Sequence, residues 1–96
     1  MKHDILIKYH PGITKEQKAD LIPEIKALFE HTTEIPGIHA VTVYPNVVDR
    51  ENRYDLLIEI EMDREALEAY DRSEWHRLWK EQYGGLLAQK AIFDHD

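Results

Sequence analysis

The chain has no cysteine, which excludes both a disulfide framework and thiol chemistry. No apolar run approaches the ~18 residues that a membrane-crossing helix needs. No charged-then-apolar leader opens the sequence, so a cytoplasmic location is expected. Glycine is scarce, at four residues, and nowhere spaced as a phosphate-cradling loop. Basic residues are outnumbered, 12 Lys+Arg against 19 Asp+Glu, giving −7 with histidines neutral. That balance argues against nucleic acid or an anionic membrane as partner, both being polyanions. What remains is ordinary for a soluble globular protein: 43% hydrophobic and 32% charged residues. Ninety-six residues without repeat or linker make one domain, 1–96. Without disulfides, so small a domain must draw its stability from its core, a ligand or a second subunit.

The hydrophobic pattern alternates between strand and helix periods. Residues 3–10 read as a strand with His3, Ile5, Ile7 and Tyr9 on one face. Pro11-Gly12 ends it, and Thr14 with Gln17 forms a capping box that opens a helix. Leu21, Ile22, Ile25, Leu28 and Phe29 give that helix an apolar side, while Pro23 predicts a kink or break near residues 19–23. After Ile35-Pro36-Gly37 a second strand is predicted over 38–44, and a third over 54–62 with Leu56, Ile58, Ile60 and Met62 on one face. Asp63 is placed to cap a helix through Tyr70, and Ser73 another through Tyr83, with Gly84-Gly85 as its stop. A fourth strand follows over 88–95, carrying Ile92 and Asp94 on one face.

The resulting order, β-α-β-β-α-β, is a ferredoxin-like α+β plan with a four-stranded antiparallel sheet. Two helical regions cover one sheet face, and the more apolar one is expected to face them. The other face, with Leu6, Leu57, Ala91 and Phe93 among Asp4, Lys8, Glu59 and Glu61, is too apolar to leave wet and too polar for a dry core. Such a surface suits a homodimer packed sheet to sheet.

Six histidines are candidates for chemistry, yet none forms the His-x-x-x-His or Glu-x-x-His pairs of helical metal sites. The ending Asp94-His95-Asp96 offers loose ligands only, so no metal and no cofactor is expected. His10, His31 and His39 fall at element ends, where the surface is the default. His3 lies on the helix-facing side beside Ile5 and Ile7, and His76 shares a helical stripe with Trp79, Lys80 and Tyr83. An imidazole takes a proton near neutrality, a phenol such as Tyr70 donates to a developing oxyanion, and an aspartate such as Asp94 fixes an imidazole tautomer. These groups meet only if the second helical region lies over the outer strand.

Several segments together resemble the stress-responsive α/β-barrel (Dabb) family. They are Lys2-His3-Asp4-Ile5, Pro11-Gly12-Ile13-Thr14, Ile35-Pro36-Gly37, Tyr54-Asp55-Leu56, Glu65-Ala66-Leu67-Glu68-Ala69-Tyr70 and Ile92-Phe93-Asp94. The likeness spans the chain. It implies a dimeric α/β barrel with a small-molecule cavity between sheet and helices. In the polyketide-cyclase members a histidine and a tyrosine work without cofactor as an acid/base pair, and these positions fall on His76 and Tyr70. The family's cavity positions fall on His3, Ile5, Ile7, Leu56, Ile58, Ile92 and Asp94. One departure stands out: the family's His-Pro-x-His motif is Ser73-Glu74-Trp75-His76 here. The resemblance implies three alternatives: a cofactor-independent cyclase or lyase for an aromatic or polyketide-like molecule, a non-catalytic stress-responsive oligomer binding at most a small apolar or aromatic ligand, and a cofactor-free monooxygenase.

Overall fold

The computed structural model describes residues 1–96. Four strands, β1 (Lys2–Tyr9), β2 (Ile38–Pro45), β3 (Leu56–Met62) and β4 (Leu87–His95), alternate with three helices. The helices are α1 (Lys15–Glu30), α2 (Leu67–Asp71) and α3 (Glu74–Tyr83), and short 3-10 turns occupy His31–Glu34, Arg64–Ala66 and Gly84–Leu86. All strand pairs are antiparallel, in the order β2-β3-β1-β4. This is the ferredoxin-like plan that the order of patterns predicts.

Alternation along the strands decides which side faces the helices. Ile5 and Ile7 of β1 and Leu56, Ile58, Ile60 and Met62 of β3 are all buried on one face. Ile25 and Phe29 of α1 and Trp79 and Tyr83 of α3 close over them. The two helices meet where the Phe29 and Trp79 rings pack edge to face, 4.9 Å between centroids. Each such side chain contributes roughly 1.5–3 kcal/mol by leaving water.

Local signals set the boundaries. Thr14 accepts from the Gln17 amide at 3.1 Å while the Gln17 side chain accepts from the Thr14 amide at 2.8 Å, so the capping box forms. Ser73 likewise accepts from the His76 amide at 3.1 Å and starts α3. Gly37 turns the chain into β2 with φ +91, a left-handed value that favours glycine, and its backbone lies against Ala66.

Two expectations are corrected. Pro23 does not break α1, which runs through it without interruption. Pro23 and Ala19 are both on the exposed side of the helix, where water can replace the donor that proline lacks. Asp63 caps no helix: the chain there makes a 3-10 turn before the short α2, and its carboxylate accepts instead from His39 Nε2 at 3.0 Å. The third strand begins at Leu56 rather than at residue 54, and the Asp55 carboxylate just before it accepts from the Tyr9 amide and from Lys18.

The face away from the helices carries Leu6, Leu57 and Ala91 half-buried and Phe93 63% exposed. Asp4 and Glu59 stand side by side on it. Desolvation, then the neighbouring Asp4 carboxyl, hold the Glu59 carboxyl above its ordinary range.

Candidate functional site

The helix-facing layer is not filled everywhere. At the β4 edge, α2 and the start of α3 leave a cavity of about 290 Å³. Its wall is His3 and Ile5 from β1, Leu67, Tyr70 and Asp71 from α2, His76 and Trp79 from α3, and Lys90, Ile92 and Asp94 from β4. The second helical region therefore does lie over the outer strand, the one condition under which His76, Tyr70 and Asp94 meet.

The Tyr70 ring touches two imidazoles. Its centroid lies 5.0 Å from that of His76 and 5.4 Å from that of His3, both edge-on. Its hydroxyl is buried without a protein partner. Burial, and next the Asp71 charge, push its pKa well above the ordinary 10.0, so the phenol keeps its proton throughout the neutral range. It is a donor without an acceptor.

His76 is partly buried. Desolvation first, and then the Lys80 charge, lower its pKa below 6.5, against the opposing pull of Asp71. The imidazole is thus neutral at pH 7 and able to accept a proton. On β1, His3 Nδ1 lies 2.5 Å from Asp94 Oδ1. A carboxylate only accepts, so Nδ1 carries the hydrogen of this bond. The pairing is a consequence of register, since His3 and Asp94 are direct partners across β1 and β4.

The remaining residues named from the sequence divide between wall and core. Ile5 and Ile92 line the cavity, whereas Ile7 and Ile58 are sealed in the core beneath it. Leu56 lies at the far end of the sheet, on the wall of another cavity of about 290 Å³ between α1 and the loop before β3. There Lys15 and Lys18 are held by Asp49 at 3.1 Å and Asp55 at 3.0 Å. Leu67, Asp71, Trp79 and Lys90 also line the cavity and were not expected there from the sequence. For Lys90 the signal was present, because the strand period places it on the same face as Ile92 and Asp94. The Asp94-His95-Asp96 grouping dissolves for the same reason: Asp94 points into the helix layer, while His95 points to the opposite face and pairs with Asp4.

The fold recurs among solved structures. A dimeric protein of unknown function with a ferredoxin-like fold from Bacteroides fragilis superposes with a TM-score of 0.80 at 16% identity, covering 99% of this chain and 93% of that one. An Arabidopsis thaliana protein superposes at 0.75 with 19% identity, covering 99% and 92%. The hydroxynitrile lyase from Passiflora edulis gives 0.71 at 11% identity, covering 98% and 89%. At such identities the likeness concerns the fold. No curated protein matches the chain. A family model, the stress responsive A/B barrel domain, matches residues 1–96, and the chain belongs to that family.

Proposed function

We propose that the protein is a cofactor-independent small-molecule enzyme of the lyase or cyclase type, working as a homodimer. The observation that carries the reading is the Tyr70 hydroxyl, buried without a protein partner, in a residue that lines a cavity together with two imidazoles. A ligand carbonyl or developing oxyanion is the acceptor this donor lacks. Neutral His76 removes or returns the proton on the substrate. His3, its tautomer fixed by Asp94, orients the polar end, while Ile5, Leu67, Trp79 and Ile92 hold an aromatic or polyketide-like body. A lyase that cleaves a hydroxynitrile is chemistry of this kind: a base takes the hydroxyl proton, the carbonyl double bond forms, and cyanide leaves with the electron pair of the carbon–nitrile bond. The hydroxynitrile lyase that shares the fold supports the reaction class.

The homodimer rests on the mixed sheet face, where Phe93 is 63% exposed beside half-buried Leu6, Leu57 and Ala91. The Bacteroides relative in fold, described as dimeric, supports it.

The test is turnover of an aromatic hydroxynitrile and of a linear poly-β-ketone. His76→Ala and Tyr70→Phe should each reduce the rate at least about 100-fold, the usual worth of a positioned acid or base. Because His76 has a lowered pKa, activity should hold through neutrality and fall only in acid. If neither compound reacts nor raises the melting temperature, the protein is a non-catalytic oligomer instead.

A further inference from the structure

The cavity is polarised along β4. Strand alternation puts Lys90, Ile92 and Asp94 on its wall, with the first and last about 13 Å apart along the strand. Register continues the pattern onto β1, where Asp94, Ile92 and Lys90 lie opposite His3, Ile5 and Ile7. At one end Asp94 is bound by His3. At the other, Lys90 and Trp79 also line a second cavity of about 230 Å³, to which α3 adds Lys80. The chain's ion pairs engage other lysines and arginines and leave these two out, although acidic residues outnumber basic ones by 19 to 12. Both charges reach the site. After desolvation, Lys80 and more weakly Lys90 lower the pKa of His76, against the opposing pull of Asp71. Neither lysine lies on the sheet face given to the homodimer, since Lys90 is on the helix-facing side and Lys80 belongs to α3. Lysines left unpaired where carboxylates are plentiful raise the local concentration of an outside anion.

We propose that Lys80 and Lys90 anchor the carboxylate of the ligand, a carboxylate-bearing aromatic or poly-β-keto compound. This rests on the acid/base reading of Tyr70 and His76 and adds a charge to the substrate class. The reacting carbonyl lies at Tyr70 and His76, the body of the molecule on Ile5, Ile92 and Trp79, and the carboxylate at the two ammonium groups. Charge also fixes which way round the ligand enters. A carboxylate at the opposite end would meet Asp94 and Asp71, where like charges repel. Lysine acts as a point charge, so the anchor selects for a negative group without demanding one exact geometry.

A pair of probes, 4-acetylbenzoate and 4-acetylbenzamide, tests this, because they share shape and ketone and differ by one charge. Calorimetric titration of the full-length chain at low ionic strength should show the acid binding at least about fivefold tighter. That advantage should fade as sodium chloride is raised to about 1 M, where the screening length is about 3 Å. Lys80→Gln and Lys90→Gln should each reduce it, and the double variant should remove it, with circular dichroism melts reporting folding separately. Lys26→Gln, which removes an exposed lysine of α1, should leave it unchanged. Tyr70→Phe should weaken acid and amide alike, since both present the ketone. Equal binding of the two probes, or no binding of either, overturns the proposal. So does an advantage that survives the double variant or that Lys26→Gln abolishes. Catalysis is read separately, from turnover of a neutral aromatic hydroxynitrile. Turnover with equal probe binding removes the anchor and leaves the enzyme, whereas acid preference without turnover removes the enzyme and leaves the anchor.

Discussion

Removing the Tyr70 hydroxyl should make the empty protein more stable. The group is buried and bonds to nothing in the chain, and a stranded polar group of this kind costs about 1–3 kcal/mol. Phenylalanine keeps the ring, and with it the edge contacts to His3 and His76. Tyr70→Phe is therefore expected to gain about 1 kcal/mol, near the low end of that cost. In a domain of this size that raises the melting temperature by about 4–8 °C. Urea unfolding followed by circular dichroism, without ligand, should show a higher midpoint and an unchanged slope. The alkaline limb gives a second reading. Folding raises the Tyr70 pKa above 10.0, so the unfolded chain releases this proton first. The tyrosine contribution is complete below pH 10 and lost as pH climbs beyond it. Tyr70→Phe should lose less stability there, while the decline from Tyr9, whose pKa is raised to about 12, persists in both proteins. A loss of more than about 1 kcal/mol on substitution would refute the reasoning, because it would mean that the hydroxyl is already bonded in the folded chain.

Two other substitutions probe the scaffold. Gly37→Ala places a methyl group 3.0 Å from the Ala66 Cβ at φ +91. It should cost about 2 kcal/mol, from the left-handed backbone and the contact together, read from chemical denaturation. Ser73→Ala removes the cap that starts α3. A loss of about 1 kcal/mol is expected, together with weaker ligand binding in a thermal-shift assay, since His76 stands in the first turn of that helix.

The strand order and the side of the sheet that faces the helices were legible because alternation is a local property. Ile5, Ile7, Ile58 and Ile60 announce their burial by spacing alone. The caps at Thr14 and Ser73 were legible for the same reason, each completed within three residues. Pro23 was misjudged because its cost depends on whether the abandoned Ala19 carbonyl meets water, and neighbours in sequence do not tell that. Asp63 had a competing partner in His39, 24 positions away. The cavity was foreseeable only as a condition: His3, Tyr70, His76 and Asp94 come from four elements, and only the pairing of β1 with β4 brings His3 to Asp94.

The central position of β1 shapes how the chain comes off the ribosome. Its first neighbour, β3, begins only at Leu56, and the other, β4, only at Leu87. An isoleucine-rich segment therefore waits without either edge partner while most of the polypeptide is made, which is the circumstance that favours aggregation. Lys2, Asp4 and Lys8 punctuate that segment with charge. Charges spaced through an apolar strand disfavour its pairing with other copies before its own partners are made.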